Sequence, residues 1–374
     1  MKKNVVIIQR SMVHYRVSFF EQLKARLASV GIELKILVGE GSNEEMLKKE
    51  NDCLSWAISV KTRYVFFDKV CLLGVSRHIV DADLIIFPQE NKLLPNYIGS
   101  ILGTKKVAFW GHGKNFQSLN ENGLLEQIKA RLISRVDWWF AYTNLTLNVL
   151  KDVGYPENRV TVVNNTIDIQ KFSQELLQVT NDELEMLGIR YGINMNSQVG
   201  LYCGSLYKEK RLDTLLRAAD RIHEELPEFV LFIIGDGPQV ALVKHASKAR
   251  SWLKLTGSLR GRQKAIHFRL ANVILNPGLV GLNIIDGFCA GLPTITLRDS
   301  KHSPEISYLE DGVNGLVIDG GANEYARAVT YLFNNQTVLT DLSSNAMQSS
   351  KKYSMNEMVK RFSEGIERAI SNLE

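Results

Sequence analysis

The residues best suited to chemistry gather in a few short stretches. Asn276-Pro277-Gly278-Leu279-Val280-Gly281-Leu282-Asn283-Ile284-Ile285-Asp286 ends a strand pattern, turns through glycines and opens a helix pattern near Gly281. The first N–H groups of a helix have no partner inside it, so such a turn is a ready anion site. Asp286 lies one turn further on, where a carboxylate can accept hydrogen bonds from a ribose diol. As an acid in a first turn it would equally complement the helix dipole. Ala290-Gly291-Leu292-Pro293 then ends the helix.

A second stretch, Gly204-Ser205-Leu206-Tyr207-Lys208-Glu209-Lys210-Arg211, also follows a strand pattern and leads into a helix. Glycine lets a backbone approach a ligand closely, and the cations could neutralise a diphosphate. A plain strand-to-helix loop with a solvated basic start accounts for the same residues. Basic groups there oppose the dipole by roughly 0.3–1 kcal/mol, which a bound anion would offset. Gly235-Asp236-Gly237-Pro238 reads as a tight turn entering a helix.

In the first half, Trp110-Gly111-His112-Gly113 puts His112 on a turn after a strand, and His14-Tyr15-Arg16 stands in the equivalent place after the first strand. A lone histidine also serves structurally. Asp81-Ala82-Asp83 spells a metal-binding DxD, but it precedes the strand at 84–87 and so sits at the wrong end of a sheet.

The elements that must hold these residues alternate twice over. Apolar strand patterns at 5–8, 34–38, 84–87, 107–110, 138–141 and 160–163 are separated by helix patterns at 17–27, 92–102, 121–135 and 143–153. After a polar connection at 164–195, strands are predicted at 199–203, 229–234, 253–255, 273–275 and 294–297, with helices near 210–225, 238–249, 261–269 and 282–290. Short apolar strands joined by helical crossovers indicate parallel sheets covered on both faces. Two such domains in tandem imply a cleft, with ligands beyond the carboxyl ends of the strands. Met358, Phe362, Ile366 and Ile370 recur at helical spacing near the end, which predicts a core-packing stripe.

Bulk properties agree. The 374 residues suit two domains, and 45% hydrophobic with 23% charged residues is ordinary for a globular chain. A net charge of +5 suits anionic partners without choosing among them. No apolar run approaches the ~20 residues that span a bilayer, and the start MKKNVVIIQR reads as a first strand rather than a signal peptide. Four scattered cysteines, Cys53, Cys71, Cys203 and Cys289, suggest neither zinc nor a disulfide framework and point to a reducing cytoplasm. No aromatic set or dense basic stripe suggests a nucleic-acid partner.

The ordered set at 204–211, 235–238, 257, 276–293 and 303–316 resembles that of retaining GT-B glycosyltransferases of family 4, specifically a subgroup of polysaccharide assembly with a P-G-x-x-G-L variant. The resemblance implies an α/β GT-B fold, two Rossmann-like doubly wound domains facing a cleft. It implies an N-domain at 1–185, a nucleotide-sugar domain at 186–352 and a final helix, 353–374, crossing back to the N-domain. By the same resemblance, Lys210 matches the lysine that contacts the donor diphosphate. Ser205 stands where a partner arginine usually does, with Arg211 or Lys208 as substitutes. Gly204, Gly235, Gly237 and Gly257 line the donor loops. Residues 278–286 align with Glu-x7-Glu: Asp286 takes the second acid's place at the ribose, and Gly278 replaces the first acid. Backbone N–H groups of Gly281, Leu282 and Asn283 would hold the phosphates. His112 resembles the histidine at the donor sugar, and His14 and Arg16 lie on the acceptor side.

The activity that this resemblance implies is metal-independent, retaining transfer of a hexose from a UDP- or GDP-sugar to a glycan or lipid-linked acceptor in surface-polysaccharide synthesis, with no further cofactor. The helix N–H groups and Lys210 would stabilise the leaving diphosphate, which itself accepts the acceptor's proton. A basic face of Lys105, Lys106, Lys114, Lys129, Arg131 and Arg135, with Trp138 and Trp139 nearby, could dock peripherally on an anionic membrane; the alternative, which weighs slightly more, is a solvated helix face over a core strand that buries the tryptophans. Rival readings are a GT-B sugar-nucleotide epimerase and a non-catalytic sugar-nucleotide-binding subunit.

Overall fold

The computed structural model describes residues 2–41, 54–66, 70–90, 93, 96, 103, 105–113, 135–194 and 196–371. The chain forms two compact units, one of Met1–Asp168 with Ser354–Glu374 and one of Ile169–Tyr353.

In the first unit, β1 (Lys3–Gln9), β2 (Ile32–Val38), β3 (Ile58–Ser59), β6 (Leu84–Pro88), β7 (Lys106–Gly111), β8 (Trp138–Ala141) and β9 (Val160–Val162) make a sheet ordered β3-β2-β1-β6-β7-β8-β9, with every pairing parallel. β4 (Thr62–Val65) and β5 (Val70–Leu73) pair antiparallel apart from it. Successive side chains alternate faces. Val5, Ile7, Trp110 and Phe140 enter one core with α1 (His14–Ser29) and the closing helix. Val6, Ile8, Phe109 and Trp139 enter the core of the opposite face. Trp138 and Trp139 are both buried strand residues, as the reading of a core strand under a solvated helix face has them.

In the second unit, β10 (Val199–Cys203), β11 (Val230–Ile234), β12 (Leu253–Gly257), β13 (Val273–Leu275), β14 (Thr294–Leu297) and β15 (Gly315–Ile318) give a parallel sheet ordered β12-β11-β10-β13-β14-β15. Strand order reverses between β10 and β13, which opens a crevice at their carboxyl ends.

Several expectations shift. The first helix starts at His14, not Val17, so His14-Tyr15-Arg16 is its first turn rather than a loop. The helices expected at 92–102 and 121–135 lie, save for positions 93, 96 and 135, outside the described residues, and 143–153 is α2 (Asn144–Asp152). The connection at 164–195, expected to hold one polar helix-like segment, carries two helices, α3 (Gln170–Gln178) and α4 (Asn181–Tyr191). Thr180 caps α4, accepting from the Glu183 N–H at 3.3 Å while Glu183 accepts from the Thr180 N–H at 2.8 Å. Arg262 donates to Glu183 at 2.6 and 2.8 Å and to the carbonyls of Glu175 and Gln178. That ties both helices to the second unit, so the boundary expected at 185 falls inside α4 and the units divide near 168. β15 and the β4–β5 hairpin were not anticipated.

The remaining helices are α5 (Leu212–Glu225), α6 (Val240–Ser247), α7 (Gly261–Leu270), α8 (Asn283–Cys289), α9 (Ala322–Asn334), α10 (Gln336–Lys352) and α11 (Met355–Ser371). The apolar stripe of α11 enters the first unit's core: Phe362 stacks on Phe140 with ring centroids 4.2 Å apart and meets Trp110 and Phe19.

Candidate active site

Three loops of the second unit stack behind the crevice. The Gly204 N–H donates to the Ile234 carbonyl, the Leu206 N–H to Asp236, the Gln239 N–H to Leu206, and the Gly235 N–H to Gly257. Gly235 and Gly237 have φ of 149° and 150°, and a Cβ on Gly235 would come within 1.9 Å of the Gly204 carbonyl oxygen. These glycines let backbone meet backbone. Gly257, at φ 76°, faces open space instead.

The loop after β13 is pinned at nearly every peptide. Ser300 donates to the Pro277 carbonyl at 2.8 Å, and Thr296 to that of Gly278 at 3.4 Å. Lys210 Nζ donates to the Leu279 carbonyl at 2.5 Å, and Asn276 Nδ2 to the same oxygen at 3.2 Å. The N–H of Leu279 donates to Glu209, that of Val280 to His302 Nδ1, and that of Gly281 to Asn283 Oδ1. The Gly281 amide is therefore taken by a side chain and is not open as expected. Among the described residues no acceptor meets the N–H of Leu282 or Asn283 at the start of α8.

Lys210 ends a short 3-10 turn, Lys208–Lys210, and is only 5% exposed. Burial lowers its pKa to about 8, with Cys203 nearby pulling the other way. Burial pushes the Cys203 thiol up to about 12, so a neutral thiol lies beside the ammonium. Arg211 turns away: it donates to the Asp299 carbonyl at 2.6 Å and to Ser300 at 3.2 Å. Its left-handed backbone (φ 54°) makes that turn into α5. Ser205 is exposed, and its carbonyl accepts from Tyr202.

Gly278 has a reason that sequence alone hides. A Cβ there would lie 2.3 Å from the Lys210 carbonyl carbon and 2.4 Å from the Glu209 oxygen. No carboxylate fits where the resembling family has its first acid. Asp286 is present but already paired, 2.8 Å from Lys264 Nζ. Neither Lys264 nor His302 was singled out in the sequence; nothing there separates Lys264 from other helix-surface lysines.

In the first unit, Arg16 and His112 meet around Tyr142. Arg16 donates to the Tyr142 hydroxyl at 2.5 Å and lies 4.1 Å from the Trp110 ring centroid. Burial alone would lower its pKa, but Tyr142 and Tyr15 hold it above its ordinary value. His112 packs edge-on to Tyr142, 4.2 Å between centroids. Burial, and then the Arg16 charge, lower its pKa to about 4, so it is a neutral imidazole at pH 7. His14 is exposed at the helix start. Asp83 accepts from the Asn4 N–H at 2.7 Å and clamps β6 to β1 at the amino ends of the strands, the opposite end of that sheet from Arg16 and His112.

A family model described as Glycosyl transferases group 1 matches residues 197–335. The matched stretch lies within the second unit. The pinned loop, Lys210 and Asp286 all lie in that stretch. The chain is 24% identical over 203 residues to the alpha-monoglucosyldiacylglycerol synthase of Acholeplasma laidlawii, a stretch that is 53% of this chain and 50% of that protein. The chain thus matches half the length of this relative. The fold of the chain is that of GT-B glycosyltransferases. The crystal structure of Anabaena Alr3699/HepE in complex with UDP superposes with a TM-score of 0.72 at 15% identity, covering 98% of this chain and 99% of that one. A glycosyltransferase from Rickettsia africae gives 0.70 at 13% identity, covering 99% of each.

Proposed function

We propose that the protein is a retaining glycosyltransferase that binds the diphosphate of a nucleotide sugar in the group 1 domain and transfers a hexose to a glycan or lipid-linked acceptor in surface-polysaccharide synthesis, without a metal. The observation that carries this is Lys210, a buried ammonium at the β10–β13 crossover within that domain. Burying a lysine is costly unless its charge is used. A diphosphate beside it, met by the N–H groups of Leu282 and Asn283, would use that charge as the leaving group develops. The UDP named for the Anabaena structure supports a uridine donor, and the name of the Acholeplasma relative supports a lipid-borne acceptor. His112, kept neutral, would hydrogen-bond the sugar, and Arg16 would serve the acceptor side.

The test is donor turnover. UDP-, GDP- and ADP-sugars are offered with and without a lipid-linked acceptor, and Lys210→Ala is compared with wild type. Acceptor-dependent release of nucleoside diphosphate that the variant loses supports the reading; wild-type turnover in Lys210→Ala would end it. Binding of a donor with no turnover would favour the subunit that binds without catalysing. The absence of room for an acid at Gly278 is the observation on that side.

Peripheral membrane docking belongs to the same proposal. Among the described residues no helix is long and apolar enough to cross a membrane. Lys105 is exposed, but Lys106 donates to the Ile370 carbonyl at 3.2 Å, and Lys114, Lys129 and Arg131 lie outside the described residues. Flotation with anionic liposomes at low salt tests it, and failure to float would discard it.

A further inference from the structure

The partner of Asp286 has a role of its own. Asp286 is the fourth residue of α8 and Lys264 the fourth of α7. Their side chains are 13% and 19% exposed, and Nζ sits 2.8 Å from Oδ2. The ammonium also lies over two aromatic faces, 4.4 Å from the Phe172 centroid and 5.3 Å from that of Phe268. Those rings are locked edge to face at 5.1 Å. A cation over such faces is attracted by their quadrupoles. The position of Nζ is therefore set by the α3–α7 packing as well as by Asp286.

An aspartate has only two side-chain torsions, so anchoring one oxygen fixes the direction of the other. Oδ1 takes no hydrogen bond from the described residues. Asn283, one turn before, is held on both sides, by the Gly281 N–H and by the Cys203 carbonyl, and cannot swing across to fill that place.

We infer that Lys264 is a positioning residue of the nucleotide site: it holds the Asp286 carboxylate turned so that Oδ1 accepts from the vicinal hydroxyls of a ribose. This rests on the donor reading above. The rival is an ion pair that only ties α7 to α8.

The two differ in what ribose chemistry they affect. Binding of UDP, GDP and ADP, and of the 2′-deoxy counterpart of whichever binds, is measured by calorimetry for wild type, Lys264→Met, Lys264→Arg, Asp286→Asn and the Lys264→Met/Asp286→Asn double variant. A hydrogen bond to a charged group is worth about tenfold or more in affinity. Wild type and Lys264→Arg are expected to prefer the ribonucleotide by about that factor. Lys264→Met is expected to lose the preference, and the double variant to bind no worse than Asp286→Asn alone, because Lys264 acts through Asp286. The double variant removes both charges, so it keeps the test open if Lys264→Met unfolds. Full ribose preference in Lys264→Met, or additive losses in the double variant, would overturn the role of Lys264 alone. A wild-type protein that binds none of the three nucleotides would overturn the donor reading with it.

Discussion

Lys210 and Leu279 are joined by the shortest hydrogen bond of the crevice loops, ammonium to carbonyl at 2.5 Å. The bond links the loops after β10 and β13, the two strands between which the sheet order reverses. A lysine in that place braces the loop with one of its three N–H donors.

The charge of Lys210 should govern binding above neutral pH. Its pKa is about 8 in the free protein, lowered by burial. A bound diphosphate favours the charged form and raises that value. Nucleotide affinity is then full below about pH 8 and falls as pH climbs above it. Titrations of UDP between pH 7 and 9.5 should show this slope in wild type and a flat profile in Lys210→Gln. In turnover, Lys210→Ala should lose roughly 10²–10³ in kcat, the usual cost of a missing donor to developing negative charge.

His302 is the hidden support of the same loop. Nδ1 accepts from the Val280 N–H at 3.2 Å, and Nε2 lies 2.8 Å from the Leu297 carbonyl, so the proton belongs on Nε2. Val280 is fully buried. His302→Ala leaves its N–H without a partner, which should cost about 1–3 kcal/mol in urea denaturation. Burial first, with Lys210 and Arg211 adding to it and the Leu297 carbonyl opposing, holds the imidazole below its ordinary pKa. Protonation would remove the acceptor at Nδ1, so this contribution is present at neutral pH and lost on acidification.

Much of the fold was legible because its strands are buried on both faces and read as unbroken apolar runs, as in Val230-Leu231-Phe232-Ile233-Ile234. β15 escaped notice because Gly315-Leu316-Val317-Ile318 is short and stands alone after a turn. The hairpin of Thr62–Val65 and Val70–Leu73 is short, and Val70-Cys71-Leu72-Leu73 is apolar throughout, so the alternation that buries Cys71 and Leu73 leaves no mark in the sequence. At the site, Lys210 and Asp286 stood out by their places in ordered motifs. The meaning of Gly278 did not, because it lies in the backbone of Glu209 and Lys210, far away in the chain. Lys264 and His302 act only through tertiary neighbours, and no local pattern marks them.

Restoring an acid at Gly278 should fail. Gly278→Glu, or even Gly278→Ala, drives a Cβ to 2.3 Å from the Lys210 carbonyl carbon, and the obstacle is backbone. Overpacking of this kind typically costs about 1–3 kcal/mol. Thermal melts should fall, and UDP binding should weaken with the displaced lysine. Higher activity in Gly278→Glu would show that the loop has room the structure does not give it.

Acid should weaken the first unit through His112. Its pKa is about 4, against an ordinary 6.5, because burial and the Arg16 charge disfavour the imidazolium. The unfolded chain takes up the proton first, so stability falls as pH drops from about 6.5 toward 4. A His112→Gln variant removes that titration and should flatten the corresponding part of the urea-stability profile. Replacing Arg16 by methionine removes the second cause, so the His112 pKa should rise toward its ordinary value when followed by proton NMR. An unchanged value would mean that burial alone sets it.

The closing helix offers the sharpest stability test, because it returns to the first unit after the chain has passed through the second. Phe362 stacks on Phe140 at an interplanar angle of 11° and touches Trp110, and it is fully buried. Phe362→Ala should cost about 3–5 kcal/mol, as large-to-small changes in a packed aromatic core do. Of the five tryptophans, Trp56, Trp110, Trp138 and Trp139 lie in the first unit and Trp252 in the second. The loss should therefore appear as an early change in the total tryptophan emission. In a Trp252→Phe background, which reports the first unit alone, the shift in midpoint should persist in full. In a background that keeps only Trp252, a midpoint shifted just as far would mean that the two units unfold together.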